Sequence, residues 1–401
     1  MLALPLLLAL TWLALAVAAR KEVRGMPRLT GTLPASSTTP RVLCVIPARN
    51  ESEVVERALR GVLAQQGVDL RVILYDDRST DDTAALAEML VPASGGRLTV
   101  VRGQQEPPPG WCGKPHALER ALSTAGYDAR AGKSTDGTTP DVIAFVDADV
   151  ILQPTALAEL AALMRERHAG LASALPHLEC VTFWERVGGP SVSALITARH
   201  KPSHVNDVDK PAVLANGQLL MVTPEAYARA GGHEAVRSQV LEDVLLARRV
   251  KQLRIPILLV DGQAVMSTRM YSSLHELWQG WSKNAYPLVG GTPGRALGYA
   301  ALVIALSWTP AAALVTSLLL ALQRAWLDAA VWSVGYLIPL SMQMLLRRTG
   351  GVRARDAVFA PLGALLVALL LIRATVVAVR KAPVTWKGRS YVDGVGTGGD
   401  A

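Results

Sequence analysis

Apolar runs that end abruptly in acid constrain this chain more than any other feature. Val142-Ile143-Ala144-Phe145-Val146 is followed at once by Asp147-Ala148-Asp149, and Val72-Ile73-Leu74-Tyr75 by Asp76-Asp77. Short apolar runs bounded in this way fit strands buried on both faces, as in parallel sheets. Carboxylates just beyond two such strands place negative charge at the carboxyl edge of an open α/β sheet, where ligands bind. Hard oxygen ligands there can hold Mg²⁺ or Mn²⁺ against a diphosphate.

The surrounding pattern supports that sheet. Residues 41–46, 70–75, 98–101 and 141–146 read as strands. Residues 51–65, 80–90 and 115–125 read as helices between them. Alternation of this kind predicts an α/β fold, a mostly parallel Rossmann-like sheet with crossover helices. Residues 126–140 are small and polar and read as a solvated insertion loop.

Half of the residues are hydrophobic, and the excess sits at the two ends. Residues 1–19 are almost wholly apolar, with Arg20, Lys21 and Arg24 behind them. A cleaved signal peptide carries its charge in front of the apolar run, so this segment reads as an anchor. Basic flanks favour the cytoplasm, which predicts an outside amino end and a cytoplasmic α/β domain at a bacterial-type inner membrane. Residues 21–40 read as a linker, and the α/β domain as 41–270. Residues 271–294 hold Leu274, Leu277, Trp278, Trp281 and Tyr286 among polar residues, which fits either an amphipathic interfacial helix or an ordinary surface helix.

Apolar stretches at 296–322, 326–346 and 357–379 are each long enough to cross a bilayer core, for which about 20 residues suffice. They make 295–380 a transmembrane region, followed by a basic tail at 381–401. Pro310 and Pro339 predict kinks or breaks in the first two stretches. The flanking charges conflict. Arg347, Arg348, Arg353 and Arg355 precede the last stretch, and Arg380, Lys381, Lys387 and Arg389 follow it. One crossing cannot leave both groups inside, so one of the three stretches is expected to be re-entrant or interfacial.

The net charge of +8 fits these flanks lying against anionic lipid. Nucleic acid is not an expected partner, since the chain has only three Phe and no basic-aromatic stripe. Cys44, Cys112 and Cys180 are widely spaced without a CxxC pair, which disfavours a zinc site or a disulfide framework.

Six constellations carry the chemistry. Pro47-Ala48-Arg49-Asn50-Glu51 closes the first strand, where Asn50 alternatively reads as a helix N-cap. Asp76 to Asp82 holds acids that suit a base N–H or a ribose hydroxyl, with Ser79 or Thr80 as a cap for the next helix. At Gly113-Lys114, glycine allows close backbone approach and lysine offers a compact charge to phosphate at a helix start. Asp147 and Asp149, two apart in an extended chain, would share one face and one metal-diphosphate group. Glu242-Asp243 opens a helix, where the helix end predicts a low carboxyl pKa. Such a carboxylate can still take a proton from an acceptor hydroxyl in the transition state. In Trp278 to Asn284, Lys283 suits a departing diphosphate, and the tryptophans equally suit membrane anchoring.

In order and spacing, these motifs resemble the family 2 glycosyltransferases, inverting enzymes of GT-A fold, over residues 41–285. The matching pieces are PARNE at 47–51, DDxS at 76–79, Gly113-Lys114, DAD at 147–149 and ED at 242–243. Each alone is weak, and the five in sequence are specific. The resemblance implies a nucleotide-sugar donor, with Asp77 on a uracil-type base and Pro47, Arg49 and Glu51 lining the nucleotide pocket. It implies Gly113 and Lys114 at the diphosphate, Asp147 on the ribose side, Asp149 as ligand to Mg²⁺ or Mn²⁺, and Asp243 as general base. Glu242 and Trp281 fall on the acceptor side.

Processive polysaccharide synthases of this family carry QxxRW after the ED pair. Here the region reads Gln279-Gly280-Trp281-Ser282-Lys283-Asn284, without Arg-Trp, which argues against polymerisation. The GWSKN segment, with the PPGWCGKPHA segment upstream, resembles membrane glycosyltransferases of carotenoid and hopanoid synthesis. That implies one sugar moved to the hydroxyl or carboxyl of a lipid acceptor. A catalytically silent nucleotide-sugar binder is the contrasting reading, and the presence of Asp147, Asp149 and Asp243 argues against it.

Overall fold

The computed structural model describes residues 3–35, 38–135 and 137–382, and the backbone of 384–386, 389–392 and 395–400. Residues 36 and 37 of the expected linker, residue 136 of the expected insertion loop and Lys387 of the expected tail lie outside the described residues. The chain divides into two units: residues 1–25, 180–199 and 271–382 form one, and residues 26–179, 200–270 and 383–401 the other.

The second unit is built on a seven-stranded sheet. Its strands are β1 (Arg41–Ala48), β2 (Asp69–Asp76), β3 (Leu98–Arg102), β4 (Val142–Val146), β5 (Leu171–Leu175), β6 (Leu219–Val222) and β7 (Ile257–Asp261). They lie in the order β7-β5-β6-β4-β1-β2-β3. Every pairing is parallel except those of β6, which runs antiparallel to β4 and β5. All five residues of β4 are buried, which is why it reads as an unbroken apolar run. Helices cover the sheet as the periodicity predicts. Val55–Leu63 buries Val55, Ala58, Leu59 and Val62, the i, i+3, i+4, i+7 stripe of a surface helix.

Register brings the chemistry to one edge. Ala48 pairs with Asp76 and Val45 with Phe145, so β1, β2 and β4 end together. Because β6 is reversed, Leu219 pairs with Val146, and the turn entering β6 arrives at that same edge.

Two stretches depart from the sequence reading. In the expected solvated loop, Tyr127–Asp128 pairs with Lys133–Ser134, and Tyr127 and Ala129 are buried. In the expected linker, Leu29 is also buried. There the Leu29 N–H donates to the Asp261 carbonyl (2.9 Å), and the Asp261 N–H to the Pro27 carbonyl (2.8 Å). Arg28 Nε reaches Asp261 Oδ2 at 2.9 Å. On the same outer edge of β7, Asn206 spans Leu259, accepting from its N–H at 2.6 Å and donating to its carbonyl at 3.0 Å.

The first unit is helical: α1 (Ala3–Gly25), α2 (Phe183–Arg199), α3 (Leu274–Leu288), α4 (Pro293–Leu322), α5 (Trp326–Thr349) and α6 (Ala360–Val379). Among the described residues, four helical segments, α1, α4, α5 and Ala354–Val379, are long and apolar enough to cross a membrane. Pro310 and Pro339 lie inside α4 and α5, which continue past them as single helices, so the expected breaks are absent. Residues 272–289 yield α3, with Ser273 Oγ accepting from the Glu276 N–H as its cap.

The course of α6 differs from that of its neighbours. Trp308, midway along α4, donates from Nε1 to the Pro361 carbonyl at 3.0 Å. Further along, Val367, Ala368 and Leu371 pack with Ala296 and Ala300. Thus α6 starts beside the middle of α4 and runs back along its amino-terminal half. Contacts with α2 are equally close. A Cβ on Gly363 would lie 2.3 Å from Ser191 Oγ and 2.6 Å from the Val187 carbonyl, so only glycine lets the two helices approach this far.

Candidate active site

The loops after β1 and β2 are laced together. Arg49 Nη1 donates to the Asp77 carbonyl (3.0 Å), the Asn50 N–H to Ser79 Oγ (3.0 Å), and the Thr80 N–H to Asn50 Oδ1 (2.9 Å). The Glu51 N–H donates to Thr83 Oγ1 at 2.8 Å. Asn50 holds a left-handed backbone, φ 53°, a conformation asparagine tolerates better than most residues. Asn50 is therefore a cross-link between loops; the next helix begins at Val55 with Val54 in the cap position. Likewise Ser79 and Thr80 bond to Asn50, and the following helix begins at Thr83 behind Asp82. Asp81 accepts from the Thr83 and Ser52 N–H groups. Burial pushes the Asp81 carboxyl upward, but hydrogen bonds from the Thr83 and Ser52 side chains, and after them from their N–H groups, outweigh it and hold the pKa at about 2. Asp76 and Asp77 are buried on this platform. Arg49, Glu51 and Asp77 thus lie on two interlinked loops, with Pro47 just before them near the end of β1.

Beside it, the sheet edge gathers charge. Gly113–Thr124 begins as a helix just beyond the edge, and its second residue, Lys114, sets Nζ 2.6 Å from Asp147 Oδ1 and 3.1 Å from Glu242 Oε1. Burial pulls the Lys114 pKa down, yet Asp147, Glu242 and Asp243 together hold it well above its ordinary value. The lysine therefore stays charged.

Asp243 lies in the first turn of the helix Glu242–Gln252. Its Oδ2 accepts from the Gly217 N–H (2.7 Å) and its Oδ1 from the Val244 N–H (2.7 Å). The low pKa expected from the helix end is overturned. Burial and the neighbouring Glu242 charge raise the carboxyl to about 7, against the pull of Lys114 and the two N–H groups. A carboxyl poised there is a better general base than an ordinary aspartate, since its affinity for a proton is higher.

Asp147 and Asp149 are also arranged differently from the extended chain expected. The Val150 N–H closes a tight turn onto the Asp147 carbonyl at 3.1 Å. The turn leads into Val150–Leu152, whose partner strand Met266–Thr268 brings Thr268 Oγ1 to Asp149 Oδ2 at 3.2 Å. The two carboxylates are held from different sides, Asp147 by Lys114 and Asp149 by Thr268.

Sequence reasoning missed the Asn216-Gly217-Gln218 turn. Its Asn-Gly dipeptide before an apolar run was the available signal. The Gln218 carbonyl accepts from the Asp147 N–H (3.3 Å), and the Asn216 N–H donates to Ser173 Oγ (2.7 Å). A Cβ on Gly217 would lie 2.9 Å from Lys114 Nζ and 3.3 Å from Asp243 Oδ2, so the missing side chain is what allows Lys114 and Asp243 to close over the turn.

The structure groups Gly113, Lys114, Asp147, Glu242 and Asp243. It places Trp281 and Lys283 on α3 of the helical unit, where Trp281 meets Tyr271 edge-on with centroids 6.4 Å apart.

Comparison with known proteins fits this geometry. Residues 40–281 match the family described as "Glycosyltransferase like family 2". The chain is similar to the 4,4'-diaponeurosporenoate glycosyltransferase of Staphylococcus aureus (strain MRSA252), 27% identical over 351 residues, covering 86% of this chain and 87% of the relative. Its fold is similar to that of the mannosyltransferase PcManGT from Pyrobaculum calidifontis, solved in complex with GDP-Man and Mn²⁺. That match has a TM-score of 0.50 at 16% identity and covers 94% of this chain and 99% of the other.

Proposed function

The chain belongs to the family 2 glycosyltransferases, and from that premise we propose that it moves one sugar from a nucleotide-diphosphate donor, a UDP-sugar, to a carotenoid-type lipid, with inversion. The observation that carries this reading is the Lys114, Asp147 and Asp243 cluster at the sheet edge, where a cation for diphosphate and a carboxyl poised near neutrality adjoin. The carotenoid part rests on the similarity to the S. aureus enzyme.

Asp243 takes the proton of the acceptor hydroxyl as its oxygen attacks the anomeric carbon, and the nucleotide diphosphate departs from the opposite face. Lys114 balances charge on the departing diphosphate. Pro47, Arg49, Glu51 and Asp77 hold the nucleotide, and Gly113 lets backbone approach the phosphates. Glu242 sustains the raised affinity of Asp243 for its proton. Lys283 contributes on the donor side, and Trp281 on the acceptor side.

The residues present suit a divalent ion brought by the donor. Among the described residues no three His, Cys, Asp or Glu side chains form a metal cage. Two carboxylates on one turn, Asp147 and Asp149, suit a hard cation that takes its other ligands from diphosphate and water. Asp149, with Asp147 beside it, would hold Mg²⁺ or Mn²⁺, which when bound offsets diphosphate charge.

The acceptor's own group decides how much Asp243 matters. A hydroxyl needs a base to become a nucleophile, whereas a carboxyl is already ionised at neutral pH. The test uses purified protein, UDP-sugars with Mn²⁺, and carotenoid alcohols and acids, with products weighed by mass spectrometry. A gain of one hexose supports the reading, and a hexose ladder would replace it with polymerisation. Loss of transfer in Asp243→Asn with the alcohol, but not the acid, identifies the base. Equal retention with both removes that role.

For the membrane we read three crossings, α1, α4 and α5, with α6 re-entrant and the α/β unit cytoplasmic. Support comes from α6 running back along the amino-terminal half of α4. On that course Arg347, Arg348 and Arg353 before α6 and Arg380 and Lys381 after it lie on one side, which removes the conflict in the flanking charges.

A further inference from the structure

Two guanidinium groups meet at the turn between α3 and α4, and neither pairs with a carboxylate among the described residues. Gly290 holds that turn at φ 103°, a conformation that favours glycine. A Cβ there would lie 2.9 Å from Arg199 Nη2 and 2.9 Å from Arg295 Nη1, so the two nitrogens are at most twice that distance apart. Arg199, the last residue of α2, is held from behind. Its Nε donates to the Leu288 carbonyl at the end of α3 (2.9 Å), and its Nη1 to Tyr299 Oη (3.3 Å). The group also lies over the Tyr299 ring at 5.8 Å. A guanidinium is a rigid planar fork, so these contacts fix where Nη2 points. Nη2 meets no acceptor among the described residues. Arg295 is exposed in the first turn of α4, and its guanidinium has no hydrogen bond or ion pair among them.

Like charges this close repel, and the repulsion grows as the surroundings become less polar. An anion seated between the two forks would turn that repulsion into attraction. Phosphate suits the geometry better than carboxylate. Its tetrahedron of oxygens can accept from both guanidiniums at once, whereas a carboxylate presents one edge and fills one fork. A side chain at residue 290 would intrude between the arginines, and glycine leaves that space clear. α4 contributes too, since the positive end of a helix favours negative charge. The level of the site indicates the source of the phosphate. α4 is long and apolar enough to cross a membrane, and Arg295 is the one charged residue along it. Its first turn would then stand at the lipid headgroups, with Tyr286 and Tyr299 packed together beneath, as in the aromatic belts of membrane boundaries.

We propose that this corner binds a phosphate group, and that the headgroup of a membrane lipid supplies it. In the topology read above, α4 begins on the cytoplasmic side, where anionic lipids concentrate. The bound phosphate joins the end of α2 to the start of α4, across the end of α3 that Arg199 already holds. The site uses none of the residues assigned to sugar transfer, so it stands or falls apart from that reading.

In the experiment, the full chain in a neutral detergent is titrated with dioctanoyl phosphatidic acid, with dioctanoyl glycerol, which has the same chains and no phosphate, and with inorganic phosphate. Binding is read by native mass spectrometry and as a rise in Tm. The parent is expected to bind phosphatidic acid saturably, about tenfold or more tighter than Arg295→Gln does, the usual cost of losing hydrogen bonds to a charged group. The exposed Arg295 guanidinium has no partner to lose among the described residues, so this variant should keep the parent's Tm without ligand. If it fails to fold, Arg295→Lys, which keeps the charge and loses the fork, takes its place with the same direction of effect. Arg324→Gln removes an equal charge just beyond the far end of α4 and should bind like the parent. Equal weakening in Arg295→Gln and Arg324→Gln, or glycerol binding as tight as phosphatidic acid, means net charge or chain contact alone and overturns the proposal. So does an absence of saturable binding. Inorganic phosphate that binds as tightly as the lipid, and is lost in Arg295→Gln, supports the phosphate site and overturns the lipid as its source.

Discussion

Gly217→Ala is the most informative single change at the sheet edge. The added methyl would sit 2.9 Å from Lys114 Nζ, where ordinary contact begins at 3.4 Å. The flexible lysine end must therefore retreat by roughly 0.5 Å, the difference between those two distances. That retreat stretches the 2.6 Å contact with Asp147 and presses on Asp243, whose Oδ2 lies 3.3 Å from the same methyl. Since a 1 Å misplacement near the reacting atoms can cost about 100-fold, half of that distance predicts a fall of about tenfold in kcat/KM. This corresponds to about 1.4 kcal/mol of lost transition-state stabilisation. Stability should move differently. Gly217 does not occupy the left-handed region, so alanine restricts the unfolded chain and contributes about 0.4–1 kcal/mol, offsetting part of the local strain. The assay follows nucleoside diphosphate release and glycolipid formation at several acceptor concentrations, with thermal unfolding in the same detergent. A variant within twofold of the parent in kcat/KM would refute the reasoning. So would a loss of activity that follows a large fall in Tm.

Four other outcomes are expected. With a hydroxyl acceptor, kcat/KM should rise with pH and level off above about 7, because burial and Glu242 keep Asp243 protonated until then. A limb centred below pH 5, or one that persists in Asp243→Asn, would contradict this. The same carboxyl makes folding stability fall as pH rises from the ordinary aspartate value of 3.8 toward about 7, because the native state keeps a proton that the unfolded chain has released. Chemical denaturation at several pH values should show that slope flattened in Asp243→Asn. Tyr227→Phe removes the hydroxyl that sits 2.6 Å from His233 Nδ1 and accepts from the His233 N–H, both buried, and should cost about 1–3 kcal/mol in urea unfolding. Burial first, and then the Lys114 charge, lowers His233 to about 3, so this loss should not vary between pH 5 and 8. Finally, cysteines replacing Arg353 and Lys381 should react with an impermeant maleimide from the same face of a sealed vesicle, and one replacing Arg324 from the other. Opposite labelling of the first two would restore α6 as a crossing.

Much of the sheet was legible because burial on both faces writes itself as apolar runs, as in β1, β2 and β4. The acids at their ends were legible for the same reason, since a charge directly after such a run must lie at a strand end. β5 was harder to read. Leu-Ala-Ser-Ala-Leu is small and weakly patterned, and its buried Ser173 is satisfied by Asn216, which comes from another element. The reversal of β6 depends on its pairing with β4, far away in sequence, and no local propensity encodes it. Gly217 was invisible as a site residue because its neighbours, Lys114 and Asp243, come from other elements. For Asp243 the helix position was readable, but the burial that decides its proton affinity was not. In α2, Gly188-Gly189-Pro190 lies inside one continuous helix, where Gly188 packs closely against Leu277 and Leu366.

The outer edge of β7 carries a further consequence. An edge strand offers free N–H and carbonyl groups to any passing strand, and proteins that leave such an edge open tend to aggregate. Here Asn206 occupies both groups of Leu259, and the Pro27–Leu29 segment both groups of Asp261. The chain leaving α1 is therefore also a cover for the sheet. Cutting it away at about residue 30 to remove the first apolar helix would uncover a template for self-association. A cut placed between Gly25 and Met26 would keep that edge sealed.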